Sequence, residues 1–385
     1  MIKFKLIFVF VLIAICAKAQ DEQATHNIVV WGNSITWGSA SSSDNNCYCA
    51  VLQKELNENG YKDYSVINCG VGGETYQSIL VRQGGLGLYF DKGLYFKGKE
   101  KVSLGKIENY IAKHSMRNTF FKESSYFFLL LQGESGRSNR KIKTVNPLTF
   151  NGVSFTLSFE GNLIEGEYFI TPNEDITLDV PKGAVFETSG SRIKEDIVVF
   201  AMGTNGGYLG RSEKFDEDKA IENAINMTDL AIKKSNTDKY LVCSPYAGTA
   251  LKEFGVEGMK KLEKEFQDHY GERYLNWREY LVNYGLTDAG IDATEQDKKD
   301  IEEGKCPTSL LSDGLHPNDI GHKIIGERIF RKLKELKYIE ITSGISQIKN
   351  EKVPHKTNIY SLDGIKLSHR VKGINIIDGK KILVP

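Results

Sequence analysis

Val29-Val30-Trp31-Gly32-Asn33-Ser34-Ile35-Thr36-Trp37-Gly38 is the stretch from which the rest of the chain is read. Two β-branched residues run through Trp31 into Gly32, small polar residues follow, and Gly38 frees the backbone again. This predicts a buried strand ending in a tight loop that holds one hydroxyl, that of Ser34, at the top of a sheet. An ordinary strand-to-helix turn has the same appearance. Whether distant segments supply the partners of a serine nucleophile separates the two readings.

Working outward, residues 27–31 read as the first strand. Tyr48, Val51, Leu52 and Leu56 follow at helical spacing, ending at Gly60. A second short apolar strand over 64–69 runs into Gly70-Val71-Gly72-Gly73-Glu74-Thr75. The next strand of this kind, over 196–202, comes more than a hundred residues later. Between them, Phe155-Thr156-Leu157-Ser158-Phe159 and Ile176-Thr177-Leu178-Asp179-Val180 alternate with a period of two, and Gly161-Asn162 and Pro172-Asn173 read as turns. Residues 85–194 are therefore expected to be a mostly β insertion between core segments 20–84 and 195–338.

From residue 195 the alternation resumes. A helix carries Ile221, Ala224, Ile225, Thr228, Ala231 and Ile232 on one face, and a strand over 239–243 follows. Next come a charged amphipathic helix to about residue 270, a short strand over 274–277, and a charged surface helix or loop over 289–303. The last long helix is expected over 317–336, with Pro317 as its first residue. Strands alternating with helices predict an α/β fold with a parallel sheet covered on both faces. Ligands of such sheets bind beyond the carboxyl ends of the strands, where Ser34, Gly73 and Asn205 would gather.

The 385 residues, 40% hydrophobic and 26% charged, have the composition of a soluble globular protein. Fifty acidic residues balance fifty basic ones, and no basic run carries interleaved aromatics, so no nucleic-acid partner is expected. Lys3 and Lys5 precede the apolar run of residues 6–15, and Ala17-Lys18-Ala19 follows as a small-residue cleavage site. Residues 1–19 thus read as a secretory signal peptide, too short for a membrane span, and the mature chain is expected to be exported without one. Cys16 would suggest lipid attachment, but Ile15 stands where a small residue is wanted. Cys47, Cys49, Cys69, Cys243 and Cys306 remain, an odd number whose pairing is not readable from sequence. Cys47-Tyr48-Cys49 lacks the spacing of a zinc knuckle, and there is no H-E-x-x-H. In the tail, 339–385, residues 359–367 and 374–384 each place Asp-Gly between β-rich runs and read as hairpins.

The chemistry is carried by Leu311-Ser312-Asp313-Gly314-Leu315-His316-Pro317-Asn318. A serine hydroxyl is a poor nucleophile until a neutral imidazole removes its proton. A carboxylate on the other ring nitrogen fixes the tautomer and stabilises the imidazolium that forms. Asp313 and His316 on one short loop, with Gly314 permitting a bend, suit those tasks; a polar helix-entry loop capped by Asn318 or Asp319 is the plainer reading. Donors for a developing oxyanion would be the Ser34 N–H, the Gly73 N–H and the Asn205 amide in Met202-Gly203-Thr204-Asn205-Gly206-Gly207. Trp31, Trp37 and Tyr208 flank the site as candidate substrate contacts, with core packing the alternative, and Arg82 and Gln83 are candidates just before the insertion. His322 lies on the stripe of Ile325, Ile329 and Leu333 and is expected to pack in the core.

Together the four stretches resemble the SGNH hydrolases, or GDSL-type esterases, over residues 27–84 and 195–338 and in the family's order. The resemblance implies a flavodoxin-like three-layer α/β/α sandwich, with Ser34 as nucleophile, Gly73 and Asn205 at the oxyanion, and Asp313 and His316 completing a triad. Asn33 stands where the family usually has Asp, at a position that supports the loop. The implied activity is hydrolysis of a small-molecule or glycan ester without metal or organic cofactor, with short acyl groups on carbohydrate favoured. Acyl lipids, or glycan binding by a non-catalytic scaffold, are the alternatives. The tail resembles the C-terminal sorting segments of type IX secretion, which would make the secretion machinery a partner.

Overall fold

The computed structural model describes residues 26–90, 92–105, 143–161, 167–206, 214–245, 254–341, 346–347, 359–362, 366–377 and 380–384. The expected leader with Cys16, Tyr208, Asn162 and both Asp-Gly turns of the tail lie outside them. Contacts divide the chain into two units, Met1–Tyr338 and Ile339–Pro385.

The centre of the first unit is a five-stranded parallel sheet of β1 (His26–Gly32), β2 (Tyr64–Gly70), β11 (Ile197–Ala201), β12 (Tyr240–Cys243) and β13 (Tyr274–Leu275), in the order β13-β12-β11-β1-β2. Ile28 pairs with Val66 on one side of β1 and Ile197 on the other, and Gly32 with Gly70 and Ala201. Ile28, Val29, Val30 and Trp31 are all buried because helices cover both faces. Val29, Trp31, Val198, Phe200 and Val242 face Ile79 and Leu80 of α3 (Tyr76–Gln83), Ala224 and Ala231 of α4 (Glu217–Ser235), and Leu262 and Phe266 of α5 (Gly255–Tyr270). Alternation sends Ile28, Val30, Val199 and Leu241, also buried, to the opposite face. On that side α2 (Tyr48–Glu58) packs on α8 (Asp319–Glu335), and α8 packs on α6 (Trp277–Ala289). The result is a flavodoxin-like three-layer sandwich. Because β1 lies between β2 and the next core strand, β11, the strand order reverses at β1, and the crevice beyond its carboxyl end is the natural ligand site.

Some expected elements change. Trp277 is not at the end of a strand: it opens α6, whose cap Asn276 accepts from the Glu279 N–H, and its ring is buried against Tyr48. α3 is not among the expected elements; all eight of its residues are buried, the polar Gln77, Ser78, Arg82 and Gln83 included, so its polar positions do not mark a solvent face. The stretch expected as surface helix or loop resolves into the last residue of α6, a link, and α7 (Glu295–Glu302).

Between α3 and β11 the described strands are β3 (Leu88–Tyr89), β4 (Leu94–Gly98), β5 (Val102–Gly105), β6 (Leu148–Phe150), β7 (Val153–Glu160), β8 (Glu167–Pro172), β9 (Ile176–Val180) and β10 (Val185–Phe186). They form antiparallel pairings β10-β3, β4-β9 and β5-β8-β7-β6 around their own apolar cluster of Phe90, Phe96, Leu148, Phe155, Ile170 and Phe186. In the second unit β15 (Ile359–Ser361) pairs antiparallel with β16 (Lys366–Leu367) and with β17 (Gly373–Ile377), which pairs with β18 (Lys380–Val384). β14 (Ser346–Gln347) adds to β18 in parallel. No helix among the described residues is long and apolar enough to cross a membrane. Cys47, Cys49, Cys69, Cys243 and Cys306 are buried thiols, none of them in a disulfide.

Candidate active site

Ser34 begins the four-residue helix α1 (Ser34–Trp37) directly after β1. The Asn33 side-chain oxygen caps that helix by accepting from the Ile35 N–H at 3.2 Å, so an amide serves where only an acceptor is needed. Gly38, at φ 91°, stops it after one turn, and its N–H donates to the carbonyls of Ser34 and Ile35. The turn is compressed: a Cβ on Gly32 would collide with the Thr36 side chain and the Ala201 carbonyl. Thr36 in turn is held by the Tyr48 hydroxyl at 2.7 Å. Ser34 is only 7% exposed, so the crevice admits its hydroxyl to chemistry but to little bulk water.

The loop before α8 is shaped by Asp313. Its Oδ1 accepts from the N–H groups of Leu315, at 3.1 Å, and His316, at 2.8 Å, while Gly314 takes φ 77°. Its Oδ2 lies 2.8 Å from His316 Nδ1, and His316 Nε2 lies 2.9 Å from Ser34 Oγ. An ionised carboxylate only accepts, so Nδ1 carries the ring proton and the Nε2 lone pair faces the serine hydroxyl. Partial burial works against ionisation of Asp313, but the His316 and Leu315 bonds outweigh it and hold the carboxyl below the ordinary aspartate range. Pro317 is not the first helical residue. It bridges to Leu311, and Asn318 is the cap of α8, accepting from the N–H groups of Ile320 and Gly321.

The loops after β2 and β11 meet beside Ser34. Gly73 has φ 76°, a conformation that favours glycine. Asn205 is 8% exposed, and its Nδ2 donates to the Glu74 carbonyl at 3.0 Å, leaving the amide a second hydrogen to offer. The Tyr76 N–H donates to the Gly206 carbonyl, a second tie between the same loops.

The remaining candidates separate. Arg82 and Gln83 do not line a substrate surface. Arg82 is fully buried and its guanidinium is committed to Glu74 through Nε and Nη2, to Thr144 Oγ1 at 2.7 Å and to the Cys69 carbonyl at 2.9 Å. Gln83 bonds the Ala231 carbonyl and Ser235. A helix with no exposed face had no register from which this could be seen. Trp37 is half-buried and, with Ser39, Ser41 and Asp44, lines a cavity of about 230 Å³ beside α1. His322 is fully buried, its ring stacked on Tyr48. The sequence reading passed over Glu74, the acidic partner of Arg82. Burial pushes its carboxyl up to about 7 against the pull of that guanidinium.

A model of the GDSL-like lipase/acylhydrolase family matches residues 28–329. No curated protein sequence matches the chain. Among solved structures, the chain is 15% identical to a lipase/acylhydrolase from Enterococcus faecalis, covering 81% of this chain and 96% of that one at a TM-score of 0.39. It is 15% identical to a two-domain esterase active on acetylated mannans, with 91% of this chain but only 58% of that one covered, at 0.36. A Corynascus thermopiles carbohydrate esterase of family 2 with a carbohydrate-binding domain matches at 13% identity, 82% and 68% coverage and 0.38.

Proposed function

The chain belongs to the GDSL-like lipase/acylhydrolase family and is a serine ester hydrolase, and on that premise we propose that it removes short acyl groups, acetyl foremost, from carbohydrate. The observation that carries the assignment of roles is the continuous line from Asp313 Oδ2 through His316 to Ser34 Oγ, 2.8 and 2.9 Å, the second contact joining residues 282 apart in sequence. Ser34 Oγ attacks the ester carbonyl while His316 Nε2 takes its proton. The carbonyl oxygen becomes an oxyanion facing the N–H groups of Ser34 and Gly73 and the free amide hydrogen of Asn205. Collapse of the tetrahedral species expels the alcohol, which receives the proton from His316. Water, deprotonated by the same histidine, then releases the acid from the acyl-enzyme.

A short acyl group and a sugar alcohol are supported by two features. The core segments have no long apolar stretch to cover a fatty chain. The cavity beside α1 joins hydroxyls, a carboxylate and an indole, a lining suited to a polar ring with one apolar face. The leader read in residues 1–19 supports export, and the tail's likeness to a sorting segment supports a partner in the secretion machinery. Aryl esters from acetyl to palmitoyl, offered to the wild type and to Ser34→Ala, test the activity. We expect Ser34-dependent turnover that falls with chain length; turnover rising with chain length would replace carbohydrate by lipid as the substrate. Export unchanged by deletion of residues 342–385 would remove the sorting reading.

A further inference from the structure

Ser34 and His316 sit on elements joined only through the fold, so something must hold the 2.9 Å between them. The segment leaving α1 begins at the nucleophile itself, since the N–H groups of Gly38 and Ser39 both donate to the Ser34 carbonyl. It then meets the histidine loop and α8 at three places. The Ser312 hydroxyl donates to the Ala40 carbonyl at 3.2 Å, four residues before His316. His322 Nε2 lies 3.4 Å from the Ser39 carbonyl, six residues after it. Between these, three residues after His316, the Asp319 carboxylate takes the Ser42 N–H at 2.8 Å on one oxygen. The other oxygen takes the Ser42 hydroxyl at 2.5 Å and Asn46 Nδ2 at 2.9 Å. Asn46 also donates to the Ser42 hydroxyl, closing the group.

Asp319 is not needed as the helix cap, which Asn318 supplies. Its carboxylate points away from the helix, to the loop of the nucleophile. The Ser42 hydroxyl and N–H hold it ionised, below the usual range for an aspartate. Three bonds to one charged acceptor are stronger and more directional than the two single contacts to backbone carbonyls beside it. We infer that Asp319 is a positioning residue for the hydrolysis: it clamps the Ser39–Asn46 loop to the start of α8 and so sets the distance from Ser34 Oγ to His316 Nε2. It touches neither substrate nor the reacting atoms. The inference rests on the roles proposed above for Ser34 and His316.

The test compares Asp319→Ala, Ser42→Ala and their double mutant with wild type and Ser34→Ala. Steady-state kinetics on an aryl acetate are read beside the rate of serine labelling by a fluorophosphonate. Labelling needs the same hydroxyl-to-imidazole geometry but little of the acyl or sugar site. A misplacement of about 1 Å is worth on the order of 100-fold. We expect Asp319→Ala to lower kcat and the labelling rate together by about 10- to 100-fold, with KM within about threefold of wild type. Ser42→Ala should fall in between, and the double mutant should be no slower than Asp319→Ala, because both remove one clamp. Lys323→Ala, which breaks an exposed ion pair on the same helix, should match wild type. Wild-type kcat and labelling in Asp319→Ala would overturn the inference, and so would a loss that only tracks the unfolded fraction on a thermal melt. Activity surviving in Ser34→Ala would instead overturn the reading on which the inference rests.

Discussion

Replacing Asp313 by Asn should harm the enzyme more than replacing it by Ala, and the hydrogen bonds say why. Oδ1 accepts from two backbone N–H groups, so an amide here would keep its oxygen on them and turn its NH2 toward His316 Nδ1. That nitrogen would have to accept, which moves the ring proton to Nε2 and leaves no lone pair for the Ser34 hydroxyl. Turning the amide over restores the base but breaks both backbone bonds, at about 0.5–1.5 kcal/mol each. The lost charge opposite the imidazolium adds at most about 1 kcal/mol, because the Asp313 side chain is 54% exposed and water screens it. The total, about 1–4 kcal/mol, corresponds to roughly 5- to 1000-fold in kcat/KM. Alanine forces no tautomer and lets water stand in for the carboxylate, so about 1–2 kcal/mol, or roughly 5- to 30-fold, is expected. Initial rates on p-nitrophenyl acetate at low substrate give the three values of kcat/KM, with melts to confirm folding. An Asn variant as active as the Ala variant would refute the argument, since it would mean that Asp313 does not govern the tautomer.

Other consequences are as direct. On the role proposed for its amide at the oxyanion, Asn205→Ala should lower kcat about 100- to 1000-fold with little change in KM, measured on the same ester. Breaking the buried pair from one side, by Glu74→Ala or Arg82→Ala, should cost about 3–5 kcal/mol in urea unfolding; removing both partners should cost less than the sum of the two. Asp297 is fully buried. Burial opposes its ionisation, but bonds from the N–H and hydroxyl groups of Ser309 and Thr294 lower it to about 2. Its proton is therefore held more weakly in the fold than in the open chain, so its stabilisation is complete above the unfolded value near 4 and disappears as pH falls through about 2. Asp297→Asn should lose about 2 kcal/mol at neutral pH, and a series of unfolding curves should show the gap to wild type closing below pH 4.

How much of this could be read beforehand depended on whether the determining forces were local. The strand-loop-helix at Ser34, the Asp313–His316 loop and the β texture between the core halves all rest on near neighbours. Glycines where the backbone bends tightly, a period of two, and a carboxylate three residues from an imidazole leave marks in a single line of residues. A helix buried on every side leaves no exposed face to mark it, which is why α3 is not legible and why Arg82 and Gln83 are expected near a substrate. Trp277 stands just past the strand pair Tyr274-Leu275, after Asn276, and reads as continuing its apolar run. The sequence alone determined which residues could do acyl-transfer chemistry, because that depends on residue type and short spacing. Only the tertiary structure decided that Asp319 reaches Ser42, that Glu74 neutralises Arg82, and that His316 stands 2.9 Å from Ser34. Those are contacts between segments that the sheet order brings together, and no local pattern of side chains encodes a distance across the fold.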